Sequence, residues 1–365
     1  MQKLTMATAF SALAFLAACD DGTSTPDTED RFFVLHPDQD PELVYAFDPA
    51  PVPPSPFGET PESVATDFDG NLYVSLALTG EIAKIDDQGN RSTLATLPLG
   101  NPADCLGPFP GIMGALAIDI AGNLYIPVNS CDLSAKGVYR ISQDGSYEMI
   151  AQLPPAALGN GIAYRLGQLY VSDSGSSKIY RTPANGDGSP IEVWTDEPLL
   201  ADPDPTDIIP GANGLQFYNG KMLISNASAF SVVAIDLDFP LDGSGDIQPD
   251  GAYNLFGPAG SNPVWETDPA QFPGLDDFAV DVSGNIWGTT DPFQTVVRMN
   301  VFSGETEVVL TDEDGLDGPT ACAFGRGRDR NTLYITNAQF PFFPPTGGGP
   351  SVLSIETRWG GYPLR

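Results

Sequence analysis

The sequence predicts an all-β fold, a six-bladed β-propeller of four-stranded blades around a central metal site. Three observations predict it. One short hairpin recurs six times along the 365 residues. Glycine (39) and proline (35) make up about a fifth of the chain, a density of backbone punctuation that suits many short strands joined by turns. No stretch shows the 3.6-residue periodicity of a packed helix.

Taken in order, residues 1–18 read as a leader. Lys3 supplies one positive charge, and Leu4 to Ala18 is apolar apart from Thr5, Thr8 and Ser11, too short for a stable bilayer anchor. The run ends in Leu16-Ala17-Ala18-Cys19, which resembles a bacterial lipobox. The resemblance implies cleavage before Cys19 and acylation of that cysteine. It places the protein in the bacterial cell envelope, exported to the periplasmic or cell-surface side, with the membrane contacted through the N-terminal lipid only. Residues 19–30 hold that cysteine and a polar tether, DDGTSTPDTED, with no large apolar residue to bury. Residues 31–365 form the propeller domain.

The repeat fixes the blades. Three copies are close: Asp67 to Tyr73, Asp119 to Tyr125 and Asp281 to Trp287, each with a Gly-Asn turn between β-formers. Three are looser, ending in Tyr170, Leu223 and Tyr334. These six anchors stand 45 to 64 residues apart. A third strand is expected after each, beginning at Glu81, Gly137, Lys178, Ser231, Thr295 and Ser351. Fourth strands follow, such as those starting at Arg91 and Glu305. Glu42 to Phe47 is expected to supply the outer strand of the last blade and so close the ring.

Charge and cysteines bound the function. Sixteen Lys+Arg against 48 Asp+Glu give a net charge of −32, which excludes nucleic acid and disfavours an anionic membrane surface. The single histidine, His36, excludes histidine-rich metal sites and histidine dyads. Cys105 lies in a Pro/Gly loop and Cys131 follows a strand, so a Cys105–Cys131 disulfide is expected, while Cys322 in its apolar run reads as a buried thiol. A monomer acting on a small-molecule substrate is expected.

Four polar side chains share one slot, 10 or 11 residues before their anchors: Glu62, Asn160, Asn213 and Asp276. In blade two the slot holds Gly114, and blade six offers Pro319-Thr320. Two carboxylates and two amide oxygens converging on a propeller axis make a site for Ca²⁺ or another divalent cation. Glu62, Asn160-Gly161, Asn213-Gly214-Leu215, Asp276 to Asp281, and Pro319 to Gly325 with Leu333 to Thr336 also carry a resemblance. The chain resembles the SMP-30/gluconolactonase family of calcium-dependent six-bladed propellers, related to luciferin-regenerating enzyme, paraoxonases and diisopropylfluorophosphatase. The likeness runs from about Pro61 to Tyr334. It implies that Glu62, Asn213 and Asp276 bind the cation, that Asn160 contacts metal or substrate, and that Asp276 is base or nucleophile.

The chain departs from that family in two places. Leu158-Gly159 stands where sugar lactonases carry an arginine and a phenylalanine before the asparagine. Asp276-Asp277 replaces their Asp-Gly. Phe230, Phe293, Phe340 to Pro345, Trp265 and Phe272 are expected to line an apolar mouth suited to an apolar lactone or ester. The function expected is metal-dependent hydrolysis of lactones or related esters. The alternative is a non-catalytic binding propeller with a structural calcium.

Overall fold

The computed structural model describes residues 40–51, 57–100, 111–203, 210–240, 246–291, 293–341 and 344–363. The leader, Cys19, the tether, His36 and Cys105 lie outside the described residues.

The described chain is six antiparallel blades in a ring. Strand β1 (Glu42–Ala46) comes first and blade one follows as β2 (Pro61–Thr66), β3 (Leu72–Leu76), β4 (Glu81–Ile85) and β5 (Arg91–Thr96). Blade two is β6 (Gly111–Met113), β7 (Ala117–Ile118), β8 (Leu124–Ser130), β9 (Gly137–Ile141) and β10 (Tyr147–Gln152), with β6 and β7 together forming a broken inner strand. Blade three is β11 (Gly159–Arg165), β12 (Gln168–Asp173), β13 (Lys178–Pro183) and β14 (Glu192–Thr195). Blade four is β15 (Ala212–Tyr218), β16 (Lys221–Asn226), β17 (Ser231–Asp238) and β18 (Gln248–Gly257), plus a two-residue parallel edge, β19 (Trp265–Glu266). Blade five is β20 (Phe278–Val280), β21 (Asn285–Thr290), β22 (Thr295–Asn300) and β23 (Thr306–Leu310). Blade six is β24 (Pro319–Phe324), β25 (Thr332–Asn337) and β26 (Ser351–Glu356). Strand β1 pairs antiparallel with β26, so the N-terminal side of the domain completes the last blade as expected. All six third strands begin at the expected residue.

The recurrent hairpin has a chemical reason. Asp67 accepts hydrogen bonds from Asn71 Nδ2 (2.7 Å) and the Tyr73 hydroxyl (2.9 Å). Asp119 does the same for Asn123 and Tyr125, at 2.8 and 3.0 Å. Asp281 does so for Asn285 and the Trp287 indole N–H, at 2.7 and 3.1 Å. One carboxylate thus closes the turn and satisfies the polar end of a buried aromatic anchor. The glycines of these turns, Gly70, Gly122 and Gly284, sit at φ of 85 to 88°, which only glycine adopts without strain.

The core lies between blades rather than at one centre. Tyr73 and Ile82 of blade one pack against Met113, Leu124 and Ile126 of blade two. Equivalent apolar wedges join blades two and three, three and four, and four and five, while Phe47 and Val352 pack on Val64 and Val74 across the closure. The inner strands are lined toward the axis by Ala65, Ala117, Ala163, Ala279 and Ala323, each opposite its blade's anchor, with Gln216 in blade four. Such small side chains leave an open channel cavity of about 290 Å³. The channel has two ends. Inner strands enter at one and turn back through their hairpins at the other.

Candidate metal centre

At the entry end every inner strand is interrupted at the slot read from the sequence. The ladder slips between Pro61 and Ser63, between Gly159 and Ile162, between Ala212 and Leu215, and between Pro319 and Ala321. In blade five Asp276 and Asp277 both face Thr289, whose carbonyl accepts from Asp276 N (2.8 Å) and whose N–H donates to Asp277 O (3.0 Å). In blade two the break falls at Gly114, between β6 and β7. A bulge re-aims the side chain at its apex. The six apices are Glu62, Gly114, Asn160, Asn213, Asp276 and Thr320, and four of them are the residues singled out by spacing.

The bulges are tied into a ring by their carbonyls. The Asn160 carbonyl accepts from Ala115 N (2.9 Å), and Asp276 O from Gly214 N (2.9 Å). A hydroxyl two residues after the anchor bonds the next bulge in five blades. Ser75 reaches Gly114 O (3.4 Å), Ser172 reaches Asn213 O, and Ser225 reaches Asp276 O (2.9 Å). Thr289 reaches Thr320 O (2.8 Å) and Thr336 reaches Glu62 O (3.1 Å). Blade two has Pro127 there. Gly114, Gly161 and Gly214 allow the close approach, since a Cβ on each would run into Asn160 O, Asn213 O and Asp277 Oδ1 respectively. The Asn-Gly pairs of blades three and four are therefore bulges packed on their neighbours, not turns.

The side chains make an electrostatically loaded site. Asn213 is buried, and its Nδ2 donates to Asp276 Oδ1 at 2.7 Å. Its own Oδ1 and Glu62 Oε2 are buried without a hydrogen-bond partner among the described residues. Every charged group acting on Glu62 and Asp276 is another carboxylate. Burial first, then the charges of Asp291 and Asp277, push Glu62 up. Burial, then Glu62, Asp291 and Asp277, push Asp276 well above the usual range. Burial raises Asp277 to about 7, and burial followed by the charge of Asp317 raises Asp291 to about 7. Buried carboxylates with no cationic partner must hold protons or a cation.

The structure therefore brings Glu62, Asn213 and Asp276 into one electrostatic group. Asn160 stands in the adjacent blade, its Nδ2 donating to Ser174 Oγ at 3.3 Å. Asp277 lines the inner end of the channel cavity. Asp291, just after β21, escaped sequence reasoning because it stands alone in a loop with no counterpart in other blades; its Oδ1 is also buried and unpartnered among the described residues. The hydroxyl ring also escaped, although Ser75, Ser172, Ser225, Thr289 and Thr336 recur at a fixed step from their anchors. Among the described residues no set of three or more His, Cys, Asp or Glu side chains is grouped for a metal, so a cation here would rely on amide oxygens too.

The residues of the expected aromatic rim take different places. Trp265 packs over Gly304 and donates to Val301 O at 3.1 Å, against the turn that follows β22 in blade five. Phe230 and Phe272 share a small apolar niche with Leu275 and Met299. Phe340 is buried against Leu78 and Ala338. Phe293 is exposed, while Phe342 and Phe343 lie outside the described residues. Cys131 is disulfide-bonded, and Cys322 is a buried free thiol whose Sγ–H faces Trp287 O at 3.0 Å.

No family profile and no curated protein sequence matches this chain. Solved structures do. Regucalcin, a calcium-binding protein from Agrobacterium tumefaciens, is similar at 15% identity over 88% of this chain and 95% of its own, with a TM-score of 0.59. Luciferin-regenerating enzyme is similar at 16% identity over 88% and 97%, with a TM-score of 0.59. A gluconolactonase from Xanthomonas campestris is similar at 14% identity over 89% and 95%, with a TM-score of 0.54. At these identities the likeness establishes a shared propeller fold.

Proposed function

We propose that this propeller is a divalent-cation-dependent hydrolase of lactones or related esters. One observation carries it: the unpartnered buried oxygens of Glu62 and Asn213 beside the Asn213–Asp276 hydrogen bond. Hard oxygen donors, two of them carboxylates, fit a calcium-like ion, and Glu62, Asn160, Asn213 and Asp276 would hold it. Bound there, the ion would supply charge stabilisation for the oxyanion that develops at a carbonyl under attack. That a calcium-binding protein and a gluconolactonase share this fold supports the reading.

The chain's own residues do the rest. Asn213 fixes one oxygen of Asp276, which leaves the other free to act. As base, Asp276 takes a proton from water while the water oxygen adds to the lactone carbonyl. The ring C–O bond then breaks, the ring oxygen recovers a proton, and a hydroxy acid leaves. As nucleophile, Asp276 would add to the same carbon, the ring C–O bond would break with the ring oxygen taking a proton from water, and a second water would cleave the resulting acyl anhydride to the hydroxy acid and restore the carboxylate. Acylation of Cys19 and export to the cell envelope belong to the same proposal, on the lipobox alone.

The test is turnover of lactone and aryl-ester panels with and without chelator, alongside Asp276→Asn. Chelator-sensitive hydrolysis that the substitution abolishes supports the proposal. Full cation binding with no turnover on any panel would move the chain to the binding-propeller alternative.

A further inference from the structure

The hairpin end of the ring carries an unexplained apolar crown. In four blades the residue beginning the turn between first and second strands is a bare hydrophobe: Phe68, Ile120, Leu166 and Val282. All four are exposed, Ile120 by 77% and Phe68 by 64%. Phe302, in the turn after β22, and Trp359, after β26, emerge at the same end and are exposed too. Of these, Phe68 borders the channel cavity, together with Tyr362 and Pro363. Apolar side chains exposed at equivalent turns of four blades all face one end of the ring, where together they can serve as a docking surface. Blade six places arginines in its hairpin instead; Arg326 lies 5.4 Å over the Phe68 ring. Such long side chains can lay their stems on apolar surface and their heads among polar groups.

We propose that this crown rests on the lipid bilayer to which the chain is anchored, a second membrane contact beside the lipid, which the sequence alone predicts as the sole one; the proposal itself rests on acylation of Cys19. The argument is where the chain enters the ring. Strand β1 runs from Glu42 opposite Ser354 to Ala46 opposite Ser351. The Ser351 end of β26 meets Asn337, at the entry end, and its other end meets Thr332, beside the blade-six hairpin. Glu42 therefore lies toward the crown end. The ring's first strand begins toward the crown, and the chain from Cys19 to Glu42 can span at most about 80 Å fully extended. A lipid and an apolar patch are two membrane signals acting together, and shallow insertion of apolar side chains does not need anionic headgroups, which suits this acidic chain. The carboxylate site at the opposite end of the channel then faces water.

Trp359 is an intrinsic reporter, because Trp194 and Trp287 are buried and Trp265 is packed on Gly304. The purified full protein is reconstituted in phosphatidylcholine vesicles with and without bromine on the upper acyl chains. Bromolipid is expected to quench a component of the tryptophan emission that Trp359→Phe removes. The pair Phe68→Ser and Ile120→Ser, both at exposed tips, is expected to cut that quenching several-fold with an unchanged melting temperature. Vesicle-bound protein whose Trp359 emission is the same in both lipids overturns the proposal. So does shielding of Trp359 that grows with protein density without bromine quenching, which would assign the crown to a second copy. Intact mass separates failure of the premise: an unmodified Cys19 overturns the anchor and the proposal with it, while an acylated Cys19 with unquenched Trp359 overturns the crown alone.

Discussion

Asp276 and Glu62 are both buried acids, yet their replacement should have different consequences. Asp276 is held by the Asn213 amide, and in the proposed reaction it is the group that takes a proton or attacks. Asp276→Asn is expected to lower kcat by roughly 10²–10⁴-fold while leaving much of the cation affinity, because an amide oxygen still ligates. Glu62→Gln removes one of the formal charges that would face the proposed ion, and one that burial and its carboxylate neighbours penalise. It is expected to weaken calcium binding measured by calorimetry. At pH 8 in chelator it should also raise the melting temperature, because one buried repulsive charge is gone. A Glu62→Gln protein that binds calcium as tightly as the parent would remove Glu62 from the ligand set.

Bulges, not straight strands, make the site. The Ser225 hydroxyl and the Gly214 N–H both donate to the carbonyl of Asp276, so the apex that presents this carboxyl is fixed by blade four. Ser225→Ala is expected to cost about 1 kcal/mol of stability and to lower kcat more than it raises KM, because the apex loosens. Ser225→Thr should restore kcat, since blades five and six use threonine at the same place. Loss of stability with unchanged kcat would make the hydroxyl ring structural only. Gly114→Ala tests the ring where it carries no polar side chain. The added methyl meets the Asn160 carbonyl, and a destabilisation of about 1–3 kcal/mol is expected in denaturant unfolding.

For the molecule as a whole, the acid group couples stability to pH. Burial and mutual repulsion raise Glu62 and Asp276, and burial raises Asp277 and Asp291 to about 7, from an ordinary 3.8 for aspartate. In that window the native state holds more protons than the unfolded chain, so its stability falls as pH rises. In chelator the melting temperature is therefore expected to drop between about pH 5 and pH 8. Calcium should restore more of it at pH 8 than at pH 5, because the cation competes with protons for the same oxygens. A melting temperature that rises across this range in chelator would contradict the burial of these carboxylates. At the ring's closure β1 covers the edge of β26 and gives blade six the fourth strand that the other blades carry in sequence.

The sequence by itself determined the blade count, the start of every third strand and the strand that closes the ring. These depend on local chemistry: a carboxylate that caps its own turn and anchor, and β-formers at period two. It also determined the slot of Glu62, Asn160, Asn213 and Asp276, because a repeated fold turns a fixed offset into a fixed place. Only the tertiary structure decided that the slot is a bulge, since a bulge exists only against a partner strand. Only it brought in Asp291, whose relation to Glu62 crosses 229 residues of chain and follows from ring closure. It also moved Trp265 away from the mouth, and it gathered Phe68, Ile120, Leu166 and Val282 on one face. Scattered hydrophobes in turns carry no local signal; they become a surface when blades stacked in one sense bring their hairpins to the same end of the channel.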